Sequence, residues 1–268
     1  MKYSPLTFLA AATLAAISLG VAPTPEVAAN DQSSRSPVIV ELFTSEGCSS
    51  CPPADALLAA LENQQPVAGA EIIALEEHVD YWNHDGWIDP FSSVQWTERQ
   101  QAYADSRTTG SIYTPQIVVN GRTGFVGSHE QEARQAIAAS LSQLQTEISL
   151  TSVKSTKRDR EQFSVSVEKL AAAAASDTPE VWLAITEKGL HSSVSAGENA
   201  GHDLYHASIV RLLRKLGAAD KNNAPAFTAQ PDLKLDSSWK RPNLRAIAFV
   251  QEKRTHHILA AASAPLQP

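Results

Sequence analysis

The sequence predicts an α/β unit over residues 37–146, built as strand, helix, strand, hairpin and helix, followed by a β-rich domain over residues 147–268 that is compatible with a sandwich. Three observations lead there. A short β-branched apolar run at residues 37–43 precedes apolar residues at helical spacing over 54–61 and a second run, Ile72-Ile73-Ala74-Leu75, the skeleton of a parallel βαβ unit. Asn120-Gly121 stands between Ile117-Val118-Val119 and Phe125-Val126, a strong hairpin signal. Past Glu147 the texture turns to alternation, as in Phe163-Ser164-Val165-Ser166-Val167 and Val181-Trp182-Leu183-Ala184-Ile185, which marks strands with one face buried.

The chain opens with Lys2, an apolar stretch over residues 6–19 and the small-residue sequence Val27-Ala28-Ala29, the three parts of a secretory signal peptide. Residues 1–29 are expected to be removed after Ala29, leaving a linker at 30–36 and a chain exported to the periplasm or secreted. The stretch is broken at Pro23 and Pro25, short of the ~20 apolar residues that a spanning helix needs. No later segment is apolar enough to cross a bilayer, so no membrane span is expected after cleavage. Removing residues 1–29 takes away Lys2 and Glu26 together, so the formal net charge of -7 survives. Such a charge offers no basic field for nucleic acid or anionic lipid, and partners of both kinds are excluded.

Along the expected α/β unit, residues 37–43 hold Val38, Ile39, Val40, Leu42 and Phe43, with one acid, Glu41, where burial is expected. Residues 71–79 give the second strand. Residues 80–110 are richer in tryptophan, aspartate and proline and turn helix-forming from Thr97 to Ala104, which reads as an insertion ending in a helix. Ser128 and Gln131 have capping-box spacing for a helix running to about Leu144. In the second half Leu244 to Val250 alternates as a strand, Ser208 to Leu213 fits strand or helix equally, and the alanines at 171–175 read as a loop or helix fragment.

The chain has two cysteines, Cys48 and Cys51, directly after the first strand. A disulfide stabilises mainly by closing long loops in the unfolded chain, so a pair this close reads as reactive or metal-binding. Catalysis needs a thiolate, and a helix amino terminus lowers a thiol's pKa below ~8.5. Pro52 and Pro53 are tolerated only at a helix start, which places the cysteines on the turn just before the helix, or distorts its first turn. Ser49 and Ser50 add hydroxyl donors, and Cys48, lying outside the helix, is expected to be the more accessible thiol.

Cys-x-x-Cys beside a strand–helix–strand pattern, Thr114-Pro115 opening a hairpin and a helix after it together resemble the thioredoxin-like fold. More narrowly, the run from Val40 through Cys48-Ser49-Ser50-Cys51-Pro52-Pro53-Ala54-Asp55, with His78-Val79-Asp80-Tyr81-Trp82 and Tyr113-Thr114-Pro115-Gln116, is similar to an exported family of unknown function, domain-of-unknown-function family twelve-twenty-three. The resemblance implies a thiol role: Cys48 and Cys51 catalytic, Pro115 in a cis bond opposite them after Thr114, and Glu41 in the place of a buried acid serving Cys51. Glu41 is otherwise a solvated glutamate at a strand end. Glu46 is nearer in sequence but sits in a turn. Where the family tends to carry small or apolar residues before the histidine, this chain has Glu76 and Glu77.

The expected function is thiol–disulfide exchange with protein thiols or disulfides, with no cofactor beyond the Cys48–Cys51 disulfide. Thr114, Ser49, Ser50 and Trp82 are the expected substrate contacts, while Trp82, Trp87 and Trp96 either line a groove or pack the insertion onto the core. The alternatives are binding or delivery of a soft ion, copper(I) or zinc, by Cys48 and Cys51 with His78, Asp80 or His84, copper with Cys48, Cys51 and His78 foremost, and a partner-binding module with an inert disulfide. His202, His206, His256 and His257 are read as surface or β-domain residues.

Overall fold

The structure, a computed structural model, describes residues 1–4, 35–106, 108–143, 146–155, 157, 159–170 and 177–266. The expected signal peptide beyond residue 4, most of the linker and the alanine tract at 171–175 lie outside the described residues.

Strands β1 (Ser36–Thr44) and β2 (Ala70–His78) pair in parallel and are joined by α1 (Pro52–Gln64). Successive residues of a strand face opposite sides. Val38, Val40 and Leu42 of β1 therefore pack against Ala54, Leu58 and Leu61 of α1, whereas Ile39 and Phe43 join Trp96 and Tyr103 of α2 (Val94–Asp105) on the other side. β3 (Gln116–Val119) runs antiparallel to β1 and to β4 (Thr123–Val126). The expected turn is there, with Asn120 and Gly121 at φ of 46° and 62°. Gly121 is required twice over, since a Cβ there would lie 1.9 Å from the carbonyl oxygen of His256.

The helix after the hairpin, α3 (Glu130–Ser140), is capped by His129 with no side-chain cap bond, and it stops at Ser140. The expected capping box at Ser128 is not formed. Gly127 N–H donates to Pro115 and His129 N–H to Val126, so a turn occupies Ser128 and the helix starts two residues later.

The rest of the chain is β-structure: β5 (Ile148–Lys154), β6 (Arg160–Val167), β7 (Pro179–Lys188), β8 (His191–Ser193), β9 (Asp203–Tyr205), β10 (Ser208–Ala218), β11 (Phe227–Ala229), β12 (Asp232–Lys234), β13 (Leu244–Glu252) and β14 (Ile258–Pro265). Four of these strands extend the first sheet into a mixed eight-stranded one, ordered β14-β13-β7-β10-β2-β1-β3-β4. β5, β6, β11 and β12 form a smaller antiparallel sheet, and β8 and β9 a separate hairpin. The small sheet packs on the extended half of the large one through Phe163, Val165, Leu183, Ile185, Ala246 and Ala248.

The boundary expected near residue 147 falls between α3 and β5, and the sheet runs across it, because β10 pairs with the edge of β2 that β1 leaves open, at Ile209 and Glu76. The described residues from 35 onward belong to one compact unit. The C-terminal segment is β-rich as expected, but β7, β10, β13 and β14 extend the sheet that leads into the cysteines. Among the described residues no helix is long and apolar enough to cross a membrane.

Candidate functional site

From Thr44 the chain turns through Ser45 to Cys51 and enters α1. Cys48 and Cys51 form a disulfide with Cα atoms 5.5 Å apart. Cys51 is the N-cap of α1, its carbonyl accepting the N–H groups of Ala54 and Asp55, and Pro52 opens the helix, where a missing N–H costs nothing. Cys48 Sγ lies 3.3 Å from Ser50 Oγ.

Ser49 and Ser50 are exposed. Both cysteines are buried, at 1% and 0% exposure, so Cys48 is not the accessible thiol that the sequence led one to expect. Part of the cover comes from the second half of the chain. Residues 194–202, joining β8 to β9, lie over the cysteine loop: Asn199 Nδ2 donates to the carbonyls of Glu46 (2.8 Å) and Cys48 (3.0 Å), and the Glu198 carboxylate accepts the Ser49 N–H (2.9 Å).

The Thr114–Pro115 peptide is cis. Pro115, Ala54 and Leu42 meet around Gly127, where an added Cβ would come within 3.1 Å of the first two, so Pro115 packs at the start of α1. Trp82 donates from its indole to Thr114 Oγ1 (2.8 Å), and its Cβ faces Gly47 beside Cys48. Cys48, Cys51, Ser49, Ser50, Trp82, Thr114 and Pro115 thus come together around the carboxyl end of β1.

Glu41 does not join them. It shares its face of β1 with Ile39 and Phe43, away from α1, where Arg99 and Tyr103 of α2 hydrogen-bond to it. The residue on the cysteine side is Asp55, buried in the first turn of α1 with its carboxylate accepting Thr44 Oγ1 (2.7 Å). It lies four residues after Cys51, on the same helix face. Burial, reinforced by the charge of Glu76, pushes its carboxyl up to about 7. The Cys-Pro-Pro-Ala-Asp spelling carried this signal, since position i+4 from the N-cap cysteine is fixed once the helix begins at Pro52.

Next to the cysteine loop lies a buried ionic network. Glu76 Oε1 sits 3.2 Å from His78 Nε2 and 2.9 Å from His206 Nδ1. The other nitrogen of each ring meets a second carboxylate, His78 Nδ1 with Asp89 (2.7 Å) and His206 Nε2 with Glu46 (2.9 Å). Glu46 also accepts the indole N–H of Trp87 (2.8 Å), and Asp89 accepts the Glu46 N–H (2.8 Å). Burial alone would lower the His206 pKa, but the bonds to Glu46 and Glu76 outweigh it and hold the ring at about 9. Burial would likewise raise Glu76, yet His206 and His78 bring it down to about 2.

His206, read from sequence as a surface or β-domain residue, is thus at the centre, and Glu46, expected only as a turn residue, is held by His206 and Trp87. Among the described residues the donor group around His78 consists of Glu76, His78 and His206, without either cysteine. His84 pairs with Asp85, and Asp80 with Thr97. Trp96 packs in the core under α2.

No curated protein matches the chain. Among solved structures, the X-ray structure of protein AGR_C_4864 from Agrobacterium tumefaciens is similar at a TM-score of 0.61 and 24% identity, covering 84% of this chain and 92% of that one. HBP35 of Porphyromonas gingivalis is similar at a TM-score of 0.61 and 16% identity, covering 87% and 76%. These likenesses concern the fold. The family model described as a protein of unknown function, DUF1223, matches residues 39–251, and the chain therefore belongs to the DUF1223 family.

Proposed function

We propose that the protein is an exported thiol–disulfide exchange protein whose first half is thioredoxin-like and whose Cys48–Cys51 pair exchanges with protein thiols or disulfides. The observation that carries this reading is the position of the disulfide at the amino terminus of α1, with Pro115 packed beside that helix start and Asp55 buried one turn along. Export rests on the amino-terminal signal in the sequence.

In the reduced protein the helix terminus favours a Cys48 thiolate, and the Ser50 hydroxyl 3.3 Å away can donate to it. That sulfur attacks a substrate disulfide, forming a mixed disulfide and releasing one substrate thiolate. Cys51 then gives its proton to Asp55 and attacks Cys48 Sγ, which forms the intramolecular disulfide and releases the second substrate sulfur. Two electrons pass from the pair to the substrate, and the reverse sequence oxidises a dithiol. Trp82, Thr114 and the exposed Ser49 and Ser50 border the cysteine loop, where substrate backbone docks once the connection over residues 194–202 moves off the buried sulfurs.

The test is trapping. Cys51→Ser is expected to accumulate a covalent complex with a disulfide-bearing peptide, and Cys48→Ser to accumulate none; absence of any adduct from either variant would mean an inert disulfide. Asp55→Asn is expected to slow resolution of the mixed disulfide by about 10²-fold, the usual worth of a positioned base. Asp55 faces Thr44 and the charged Glu76, His78 and His206. The wild-type resolution rate should rise with pH as this carboxyl ionises, with an inflection near its value of about 7. A variant profile with the same inflection would remove Asp55 from the mechanism.

A further inference from the structure

The network beneath the cysteine loop has an arrangement that neither thiol exchange nor simple packing requires. All four nitrogens of two buried imidazoles face carboxylate oxygens, and the inner nitrogen of each ring converges on one atom, Glu76 Oε1. The rings stand 4.8 Å apart, edge to face. Glu76 and His78 share a face of β2 by strand alternation, and His206 reaches them from the connection between β9 and β10. The second oxygen of Glu76 accepts the Ala207 N–H. The side chains of Glu46, Glu76, His78, Asp89 and His206 are fully buried.

An ionised carboxylate only accepts hydrogen bonds. Without an ion, both rings must therefore be doubly protonated to satisfy the four contacts, which puts two imidazolium groups in the interior. One divalent cation can take the place of the two inner protons. The total charge is then unchanged, and the outer N–H bonds to Asp89 and Glu46 stay as they are. What remains is two neutral imidazoles and a carboxylate around one point, each imidazole oriented by its own carboxylate, the arrangement that metal-binding histidines ordinarily show.

The two separations from Glu76 to the imidazoles come close to those around a bound ion. Zinc bonds nitrogen and carboxylate oxygen at about 2.0–2.2 Å, so neighbouring donors around a tetrahedral ion stand roughly 3.4 Å apart. The observed donor separations of 3.2 and 2.9 Å reach this by small side-chain shifts, and all three donor atoms lie within 4.8 Å of one another.

We propose that Glu76, His78 and His206 bind a divalent transition ion of the zinc class, with Asp89 and Glu46 orienting the two imidazoles. Imidazole and carboxylate donors suit zinc, whereas copper(I) favours thiolates. Three protein donors leave a fourth position for water. Glu46 lies two residues before Cys48, and Asn199 bonds to the carbonyls of both, so the ion ties β2, the approach to β10 and the cysteine loop into one body. The site uses no sulfur and stands independently of the thiol reading.

Cobalt(II) is the probe, added to chelator-stripped full-length protein both in the folded state and during refolding from denaturant. One equivalent is expected to give the intense visible bands of a four-coordinate site, to be displaced by zinc, and to do so unchanged in the Cys48→Ser/Cys51→Ser double variant. Glu46→Gln, which keeps all three donors, should weaken binding by about 10–100-fold, and His206→Ala should abolish the bands. Absence of a stoichiometric band under both conditions would overturn the proposal. So would bands lost in the cysteine variant, which would make the ligands thiolates, or bands retained at full strength in His206→Ala.

Discussion

Arg99 is the cation of a second buried cluster, on the face of the sheet opposite α1. Its guanidinium bonds to Glu41, to the Tyr103 hydroxyl and to Gln251, and stands 3.3 Å from Glu77. Both oxygens of Glu41 are hydrogen-bonded, whereas among the described residues neither oxygen of Glu77 has a hydrogen-bond partner. Burial, and then the charge of Glu41, push the Glu77 carboxyl well up. Removing the cation leaves the acids unpaired in the interior, and Arg99→Met is expected to lose about 3–5 kcal/mol of unfolding free energy. Glu77→Gln replaces a buried carboxyl that already favours its neutral form and whose one charged contact is the 3.3 Å approach of Arg99, so it should stay within about 1 kcal/mol of wild type. Urea unfolding of the two variants separates these outcomes, and equal losses would show Glu77 to be an obligatory partner of Arg99. The alternation of β1 says that Glu41 shares a face with Ile39 and Phe43. What it does not say is which face α1 covers, and that choice moved the acid away from the cysteines.

Among the elements, the hairpin of β8 and β9 bears on access to the sulfurs, because its connection lies over the cysteine loop. Its connecting residues touch the cysteine loop through Asn199 and Glu198 and pack at Gly197 against Asp85 and Trp87. Asn199→Ala removes two hydrogen bonds to backbone carbonyls, a loss of about 1–3 kcal/mol, and should speed reduction of the disulfide by a small thiol severalfold. An unchanged reduction rate would mean that other segments shield the pair. The cover was not legible in the sequence: β8 and β9 are three residues each, too short to show a period. β10 left strand and helix undecided for a related reason. Its pairing with β7 shifts register between Val210 and Leu212 and again between Lys215 and Gly217, and each bulge breaks the two-residue alternation on which a sequence reading depends. The long uninterrupted runs of β1 and β2 and the Asn120-Gly121 turn were legible because packing and turn geometry there follow local chemistry.

In the molecule as a whole, the two halves share one sheet and the interior beneath it. Beyond the parallel contact of Ile209 with Glu76, the core over α2 draws Ile39, Phe43, Ile73 and Leu75 from the first half and Ala184, Val210, Leu213, Ile247, Phe249 and Ile258 from the second. His206 completes the network begun by Glu46, Glu76 and His78, Ser208 bonds to Glu62 of α1, and Asn120 of the hairpin turn accepts the Ile258 N–H. A chain ending at residue 146 would keep every element of the expected thioredoxin-like unit, yet it would open the outer edge of β2 and expose the apolar face that β10 and β13 cover. An unpaired edge beside an uncovered apolar surface invites association between chains. It would also leave Glu46 and Glu76 without His206, and Arg99 and Tyr103 without Gln251. Residues 30–146 expressed alone are therefore expected to aggregate or to lack a cooperative thermal transition, and co-expression with residues 147–268 to recover a soluble complex. A monomeric 30–146 fragment with a sharp unfolding transition and dispersed amide resonances would show that the second half is an addition to a finished domain, and the cysteine site would then have to be explained from the first half alone.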